Sequence, residues 1–509
     1  MAKNEDVKVF NDPGITRRRL LQMGAAVALS PRALAQEKSL VAAIGTPDPG
    51  TSAFVEPEVR RSVDGKLDTR LVARLSTNPL AGRTISGRTF DGKLTGPTLR
   101  FRPGDVVRVR YENELPAGSE RNVTNLHTHG LFVSPAGNSD NVLYQLEPGK
   151  TFQHEYLIPE DHVSGTFWYH PHHHGSVAPQ VENGMSGAII IEGGIDELPE
   201  IRAAEERLFV LQQLNSMEVT DRRALATTLE AIAGVNEKVT SVNGVHVPTL
   251  SLRPGEVQRW RFIAANSHDV LPLSIRRADG TPGAPPSLHQ ISWDGIPLHR
   301  VVEKAEVRLA PGNRADALVR AKEPGLYRLF KRGFPQLPFI DVPDSETLAW
   351  IRVEGEPMEM GLPAGIPKEL SHPFIGDDEV QRERKLVFSV EGDPAKFMIN
   401  GKEFDPHEPD PVVLLGAVEQ WRLEASSEAG HPFHIHVNPF QVMESSDPGL
   451  DTNVWMDTVM IPPPEEQGAP NGYVVIRSRF QRYIGRFVLH CHILGHEDRG
   501  MMLLVEIVT

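Results

Sequence analysis

The 509-residue chain has one cysteine. It therefore holds no intramolecular disulfide and cannot build a Cys-rich zinc site or a cysteine-held iron–sulfur cluster. No uninterrupted apolar run reaches the ~18 residues that a membrane span requires, so no membrane span is expected. Positive charge is not in excess: 53 basic residues stand against 67 acidic ones, which argues against nucleic acid as a partner. Methionine is ordinary in number at 12, and only Met358 and Met360 fall in the polar stretch 354–385. What is abundant is glycine, at 43, and proline, at 42, the composition of turn-rich β structure. At ~150 residues per domain the length suggests about three domains.

Residues Thr16-Arg17-Arg18-Arg19-Leu20-Leu21-Gln22 precede a short, weakly apolar stretch at 23–29 and then Ala33-Leu34-Ala35. Twin arginines, a modest hydrophobic region and an A-x-A site read as a twin-arginine signal peptide over 1–35. Export by the twin-arginine machinery and a periplasmic or secreted location are expected. After this segment the chain repeats itself. LRFRPGDVVRVR, LRPGEVQRWR and LLGAVEQWR each set a glycine (Gly104, Gly255, Gly416) six residues before an arginine (Arg110, Arg261, Arg422). The residues between alternate apolar and polar, as in a half-buried strand. A second strand also recurs, at Gly165 to His170, Gly325 to Phe330 and Gly485 to His490. Two matching strands in triplicate imply three related β-sandwiches, expected at 38–196, 205–353 and 386–509, with 354–385 as a linker and one helix near 220–232.

Twelve of the 20 histidines gather in four groups: His127-Thr128-His129, His170-Pro171-His172-His173-His174, His431-Pro432-Phe433-His434-Ile435-His436, and His490-Cys491-His492 with His496. On a strand, residues i and i+2 project to the same face, ~6.6 Å apart, so each His-x-His presents two imidazoles to one side. Cys491 points the other way from His490 and His492, so one strand serves two metal sites. A thiolate, two imidazoles and a distant thioether form the blue-copper donor set, and Cys491, His431, His496 and Met501 supply those types. Zinc is the competitor, but its N/S sites rarely include methionine and leave eight further imidazoles unexplained. Groups free of carboxylate disfavour a di-zinc hydrolase, and magnesium or calcium would need oxygen ligands.

The motifs HTHG, HPHHHG, HPFHIH and HCHILGHEDRGMM stand in an order that resembles the multicopper oxidase family, in its bacterial laccase-like three-domain branch. The resemblance covers essentially the whole chain after the signal. It implies three cupredoxin-like Greek-key β-sandwich domains, all-β, with a copper-free middle one, and four copper ions. Type 1 copper would take His431, Cys491, His496 and Met501. Type 2 would take His127 and His434, and the type 3 pair would take His129, His170 and His492 on one ion and His172, His436 and His490 on the other. Electrons from a small-molecule or metal-ion reductant would pass through Cys491 to the cluster, where dioxygen is reduced to water. Glu497 and Asp140 match positions where the family keeps acids, as proton relays or as groups that orient ligands. Met501 rather than leucine implies a moderate copper potential.

His173 and His174 exceed what the sites need and are expected behind the copper ligands or in a solvent channel. Trp455-Met456-Asp457 and Met443 are expected near the type 1 site, or for the methionines as core filler, and Asp498 either caps a turn or assists. The isolated histidines (His154, His162, His246, His268, His289, His299, His372, His407) are expected at the surface or in packing. Because no Met-rich segment accompanies the type 1 motif, a phenol or aromatic amine is the expected reductant. A cuprous or ferrous oxidase is the alternative. A non-catalytic export protein and a copper nitrite reductase are less consistent with the intact ligand set and three repeats.

Overall fold

The repeated glycine-turn strands build the same substructure three times. They are seen in a computed structural model that describes residues 45–215, 238–278, 285–335, 345–466 and 468–509. The signal at 1–35 and the helix expected at 220–232 lie outside the described residues. In each copy the arginine-bearing strand pairs in parallel with an earlier one: Val106–Asn113 with Lys66–Leu80, Val257–Ala264 with Glu205–Asn215, and Val418–Ala425 with Arg382–Glu391. Gly104, Gly255 and Gly416 enter these strands at φ of +86°, +82° and +86°, a conformation that side chains resist.

The second recurring strand has the same neighbours each time. Gly165–His170 lies between His127–His129 and Gly187–Ile191. Gly325–Lys331 lies between Leu271–Arg277 and Glu346–Val353. Gly485–Cys491 lies between His431–Ile435 and Met502–Val508. The result is all-β: a four- and a five-stranded sheet, then two pairs of six- and five-stranded sheets, forming three cupredoxin-like sandwiches. Among the described residues no helix is long and apolar enough to cross a membrane.

Alternation sets which side chains go inward. In Val106–Asn113 the residues Val107, Val109 and Tyr111 are buried and join Phe90, Phe101, Phe167 and Ile189 between the two sheets. Burying a side chain of this size contributes ~1.5–3 kcal/mol. The second and third sandwiches share one continuous core, with Trp260, Phe262 and Leu329 in the same cluster as Trp421, Phe433 and Cys491. Trp168, Ala188 and Ile190 pack on Leu208, Val210 and Ile263, joining first to second. The stretch after residue 353 is not loose: Met360, Leu362 and Ile366 pack on Val257, Ile291 and Leu318.

Equivalent positions in the three copies decide where metal chemistry is possible. His127 pairs across from His170, and His434 across from His490. In the second copy the same pair is Ser274 and Phe330. That sandwich has the frame without the imidazoles.

Candidate metal centre

Cys491 ends the strand Gly485–Cys491, His431 begins His431–Ile435, and His496 sits on the single-turn helix Leu494–Glu497. The thiol sulfur lies 3.6 Å from Nδ1 of His431 and 3.6 Å from Nδ1 of His496. All three residues are fully buried, and Met501 belongs to the same apolar cluster as Cys491. Burial pushes the Cys491 thiol well above its ordinary pKa and lowers that of His431 to about 3. A thiolate here therefore needs a cation beside it, and the two imidazoles are neutral with their lone pairs available.

On the other side of the same strand, eight imidazoles converge. His129, His170 and His492 offer nitrogens within 4.8 Å of one another, as do His172, His436 and His490. His127, His129 and His434 form a third such group. His127 stacks on His436 at 3.8 Å and His129 on His434 at 3.7 Å, and the Nε2 atoms of His172 and His490 are 3.1 Å apart. One nitrogen of most rings is held from behind: His127 Nδ1 by Asp140 at 2.9 Å, His170 Nδ1 by the Pro171 carbonyl at 2.8 Å, His434 Nδ1 by the Asp457 carbonyl at 2.8 Å. Among the described residues the opposite Nε2 atoms of His127, His170 and His434 have no partner, nor do those of His436 and His492. His129 is reversed, with Nε2 at 3.1 Å from both Asp457 Oδ1 and Thr458 Oγ1 and Nδ1 unpartnered. Burial drives the pKa of all eight below the ordinary histidine value. Buried, neutral, unsatisfied nitrogens facing one cavity are costly unless a cation accepts their lone pairs. Imidazole with thiolate and thioether fits copper better than magnesium or calcium.

Two family models, both described as multicopper oxidase, match residues 72–195 and 379–509. The chain belongs to the multicopper oxidase family. A multicopper oxidase of Staphylococcus aureus is 27% identical over 435 residues, covering 82% of this chain and 83% of the relative. A laccase of Haloferax volcanii is 26% identical, covering 96% of this chain and 90% of the relative. The solved structure of a Campylobacter jejuni multicopper oxidase, titled a metallo-oxidase, superposes with a TM-score of 0.72 at 22% identity, covering 91% of this chain and 99% of that one. The protein is thus an oxidoreductase of multicopper oxidase type that uses copper and dioxygen.

The carboxylates around this multicopper oxidase site divide by what they touch. Asp140 is saturated: besides His127 it accepts the Thr128 backbone N–H at 2.8 Å and the Thr128 hydroxyl at 3.1 Å. Burial raises its pKa to about 6. Glu497 bridges His172 at 3.4 Å and His490 at 3.1 Å, yet neither of its oxygens makes a well-angled hydrogen bond. Burial raises its pKa to about 7. Asp498 does cap a turn, in the other sandwich. Its carboxylate accepts the backbone N–H groups of Gly175, Val177 and Ala178 at 2.8, 3.0 and 2.8 Å.

Asp457 corrects one expectation. It faces the imidazole cavity, against His129 and His434, rather than the Cys491 site. Its neighbour Met456 is core, and Met443 is half-buried on Phe440–Ser445. His174 is exposed on Phe404, and His173 is half-buried. His154 and His162 are packing residues, bonded to the Tyr144 hydroxyl at 2.7 Å and the Phe132 N–H at 2.9 Å. Sequence reasoning missed Asp294, Arg314 and Ser427. The last lies four residues before His431, and its hydroxyl is 2.7 Å from that ring's outer Nε2.

Proposed function

We propose that the enzyme oxidises phenols or aromatic amines one electron at a time, through the outer edge of His431, and carries four copper ions. His431, Cys491, His496 and Met501 would hold the type 1 ion, and His127 and His434 the type 2 ion. His129, His170 and His492, with His172, His436 and His490, would hold the type 3 pair. When bound, copper supplies one-electron redox steps at Cys491 and the four-electron reduction of dioxygen to water in the imidazole cavity. The residues do the rest. Cys491 is covalently continuous with His490 and His492, so one strand joins the two sites. Glu497, whose carboxyl burial raises to about 7 and which makes no firm hydrogen bond, delivers protons beside His172 and His490. Asp140, fully engaged, orients His127.

The observation that carries the substrate class concerns the two methionines of the 354–385 stretch. Met360 Sδ accepts the Val257 N–H at 3.4 Å and the Met358 sulfur is engaged by Arg253, so both are anchored on the second sandwich. They are not free to offer soft ligands to a cuprous ion beside His431. The likeness to a protein titled a metallo-oxidase favours the second reading, a cuprous or ferrous oxidase. Oxygen uptake by copper-loaded protein with a dimethoxyphenol, an aromatic amine, Cu(I) and Fe(II) separates the two. Faster uptake with the organic reductants is expected, and uptake far faster with Cu(I) or Fe(II) overturns it. Export through the twin-arginine machinery, a periplasmic or secreted location, and domains at 38–196, 205–353 and 386–509 belong to the same proposal.

A further inference from the structure

We propose that the second sandwich, which contributes none of the cavity imidazoles, positions the cavity through its turn at 311–314, and that Arg314, acting through Asp457, sets which nitrogen of His129 faces the metals. The inference rests on the copper reading of the imidazole cavity.

Arg314 is fully buried and uses every guanidinium nitrogen, in three sandwiches at once. Nη1 and Nη2 donate to Asp457 Oδ1 and Oδ2 at 2.7 and 2.5 Å, in the third. Nη1 and Nη2 also donate to the carbonyls of Gly312 at 3.1 Å and Asp294 at 2.8 Å, in the second. Nε donates to the Thr166 carbonyl at 3.3 Å, in the first. Such a bidentate pair fixes the plane of the Asp457 carboxylate as well as its position. Asp294 holds the same segment from its other side, accepting the backbone N–H groups of Asp457 and Thr458, each at 3.1 Å. Asn313 donates to the Thr458 carbonyl at 2.7 Å.

The clamped segment then touches two cavity rings. Asp457 Oδ1 and Thr458 Oγ1 accept from His129 Nε2, and the Asp457 carbonyl accepts from His434 Nδ1. Where His127, His170 and His434 leave Nε2 free, His129 leaves Nδ1 free. Its ring is turned because its Nε2 is occupied by groups that Arg314 and Asp294 hold. A second observation is independent of these bonds. Gly312, at φ +91°, lies so close to the cavity that a Cβ there would stand 2.9 Å from His492 Cδ2 and 3.1 Å from His129 Cε1. The turn is a wall of the cavity, and only glycine fits it.

The test uses copper-loaded full-length protein and the variants Asp457→Asn, Arg314→Met, Gly312→Ala and, as a control, Arg259→Met. Arg259 is also buried in the second sandwich and pairs with Asp316 and Asp196, with no bond to a cavity histidine among the described residues. Three quantities are read: total bound copper against a chelator, the blue thiolate-to-copper band, and the paramagnetic resonance of non-blue copper. Asp457→Asn, close to isosteric, is expected to weaken retention of the non-blue copper about tenfold or more and to alter its resonance, with the blue band unchanged. Arg314→Met and Gly312→Ala are expected to move the same readouts in the same direction, and Arg259→Met to lower thermal stability alone. Wild-type retention in Asp457→Asn overturns the proposal, even if Arg314→Met fails to fold. Equal loss in Arg259→Met at matched stability also overturns it, because the effect is then general loosening of the sandwich. Total bound copper decides the matter even if the wild type shows no blue band, a result that would instead remove the type 1 assignment.

Discussion

The Cys491 site and the imidazole cavity are about one peptide apart along the strand that ends in Cys491, yet they are built in opposite ways. His431, Cys491, His496 and Met501 all come from one sandwich, and their geometry follows from its own strands and one short helix. The cavity draws imidazoles from the first and third sandwiches and is braced by the second through Arg314 and Gly312. A site whose ligands all come from one sandwich is positioned by that sandwich's own strands, even where its core continues into the next. A site assembled between cores is only as well ordered as their docking, so ordinary polar residues far from the ligand motifs become part of it.

The largest test of this division is Cys491→Ser. Oxygen uptake with organic reductants is expected to fall to background and the blue band to vanish, while cavity copper and the fold persist. Copper analysis and circular dichroism on one sample check this. Loss of cavity copper as well would mean that the two sites are not separately built.

Acid sharpens the comparison next. His154, His162 and His490 have folded-state pKa values of about 4 because they are buried. The ordinary value is about 6.5, so the unfolded chain binds more protons between about pH 6.5 and 4, and folded stability falls as pH falls through that window. Each such group accounts for up to about 3 kcal/mol by pH 4. Eight cavity rings against two at the Cys491 site, partly offset by Asp140 and Glu497, whose buried carboxyls favour the folded state as pH falls, make the cavity the more acid-sensitive of the two sites, with His154 and His162 adding to it from the first sandwich. Thermal melting of metal-free protein is expected to drop steeply below about pH 6 and to change little above about pH 7. A flat profile would mean that these rings are hydrated once the metal is gone.

The sequence made the fold legible where local chemistry repeats. The three glycines at positive φ, the alternating strands and the His-x-His pairs each report on their own neighbourhood, and period-2 geometry alone separates Cys491 from His490 and His492. The gathering of imidazoles and thiol at the motifs was readable for the same reason. Asp457 and Arg314 were not, because they are 143 residues apart and acquire a role only when two sandwiches dock. A signal was present, since Asp457 lies in a Trp-Met-Asp-Thr run beside the strand that pairs with His431. Its direction, toward the cavity instead of the Cys491 site, depends on packing that no local pattern encodes. Ser427, four residues from His431, was within reach of a local reading.

Asp498 offers a smaller break between the regions. It sits two residues after His496, at the Cys491 site, but its carboxylate satisfies three backbone N–H groups that follow His172 in the first sandwich. Asp498→Ala strands those donors, at a cost of ~2 kcal/mol after water partly replaces the carboxylate. A lower melting temperature is expected, with cavity copper released to a chelator before the blue band fades. Simultaneous loss of both would show that the clasp supports the third sandwich itself rather than its docking.

The smallest expected effect is at the outer edge of His431. Ser427 holds Nε2 of that ring at 2.7 Å, and the serine is itself half-buried. Ser427→Ala removes one neutral hydrogen bond, worth ~1 kcal/mol, from a ring whose other nitrogen stays beside Cys491. The site's geometry is set by the strand, so the blue band should keep its position closely. What changes is electron density on the imidazole and access to its edge. The copper potential is expected to rise modestly, and the rate with a phenol to change by a few-fold, in the Cys491 half-reaction only. Reduction of the blue centre under anaerobic conditions isolates that half-reaction, and reoxidation by dioxygen reports on the cavity. An altered reoxidation rate would mean that the edge of His431 communicates with the cavity through His434, three residues along its own strand, and the separation argued from their construction would fail at that strand.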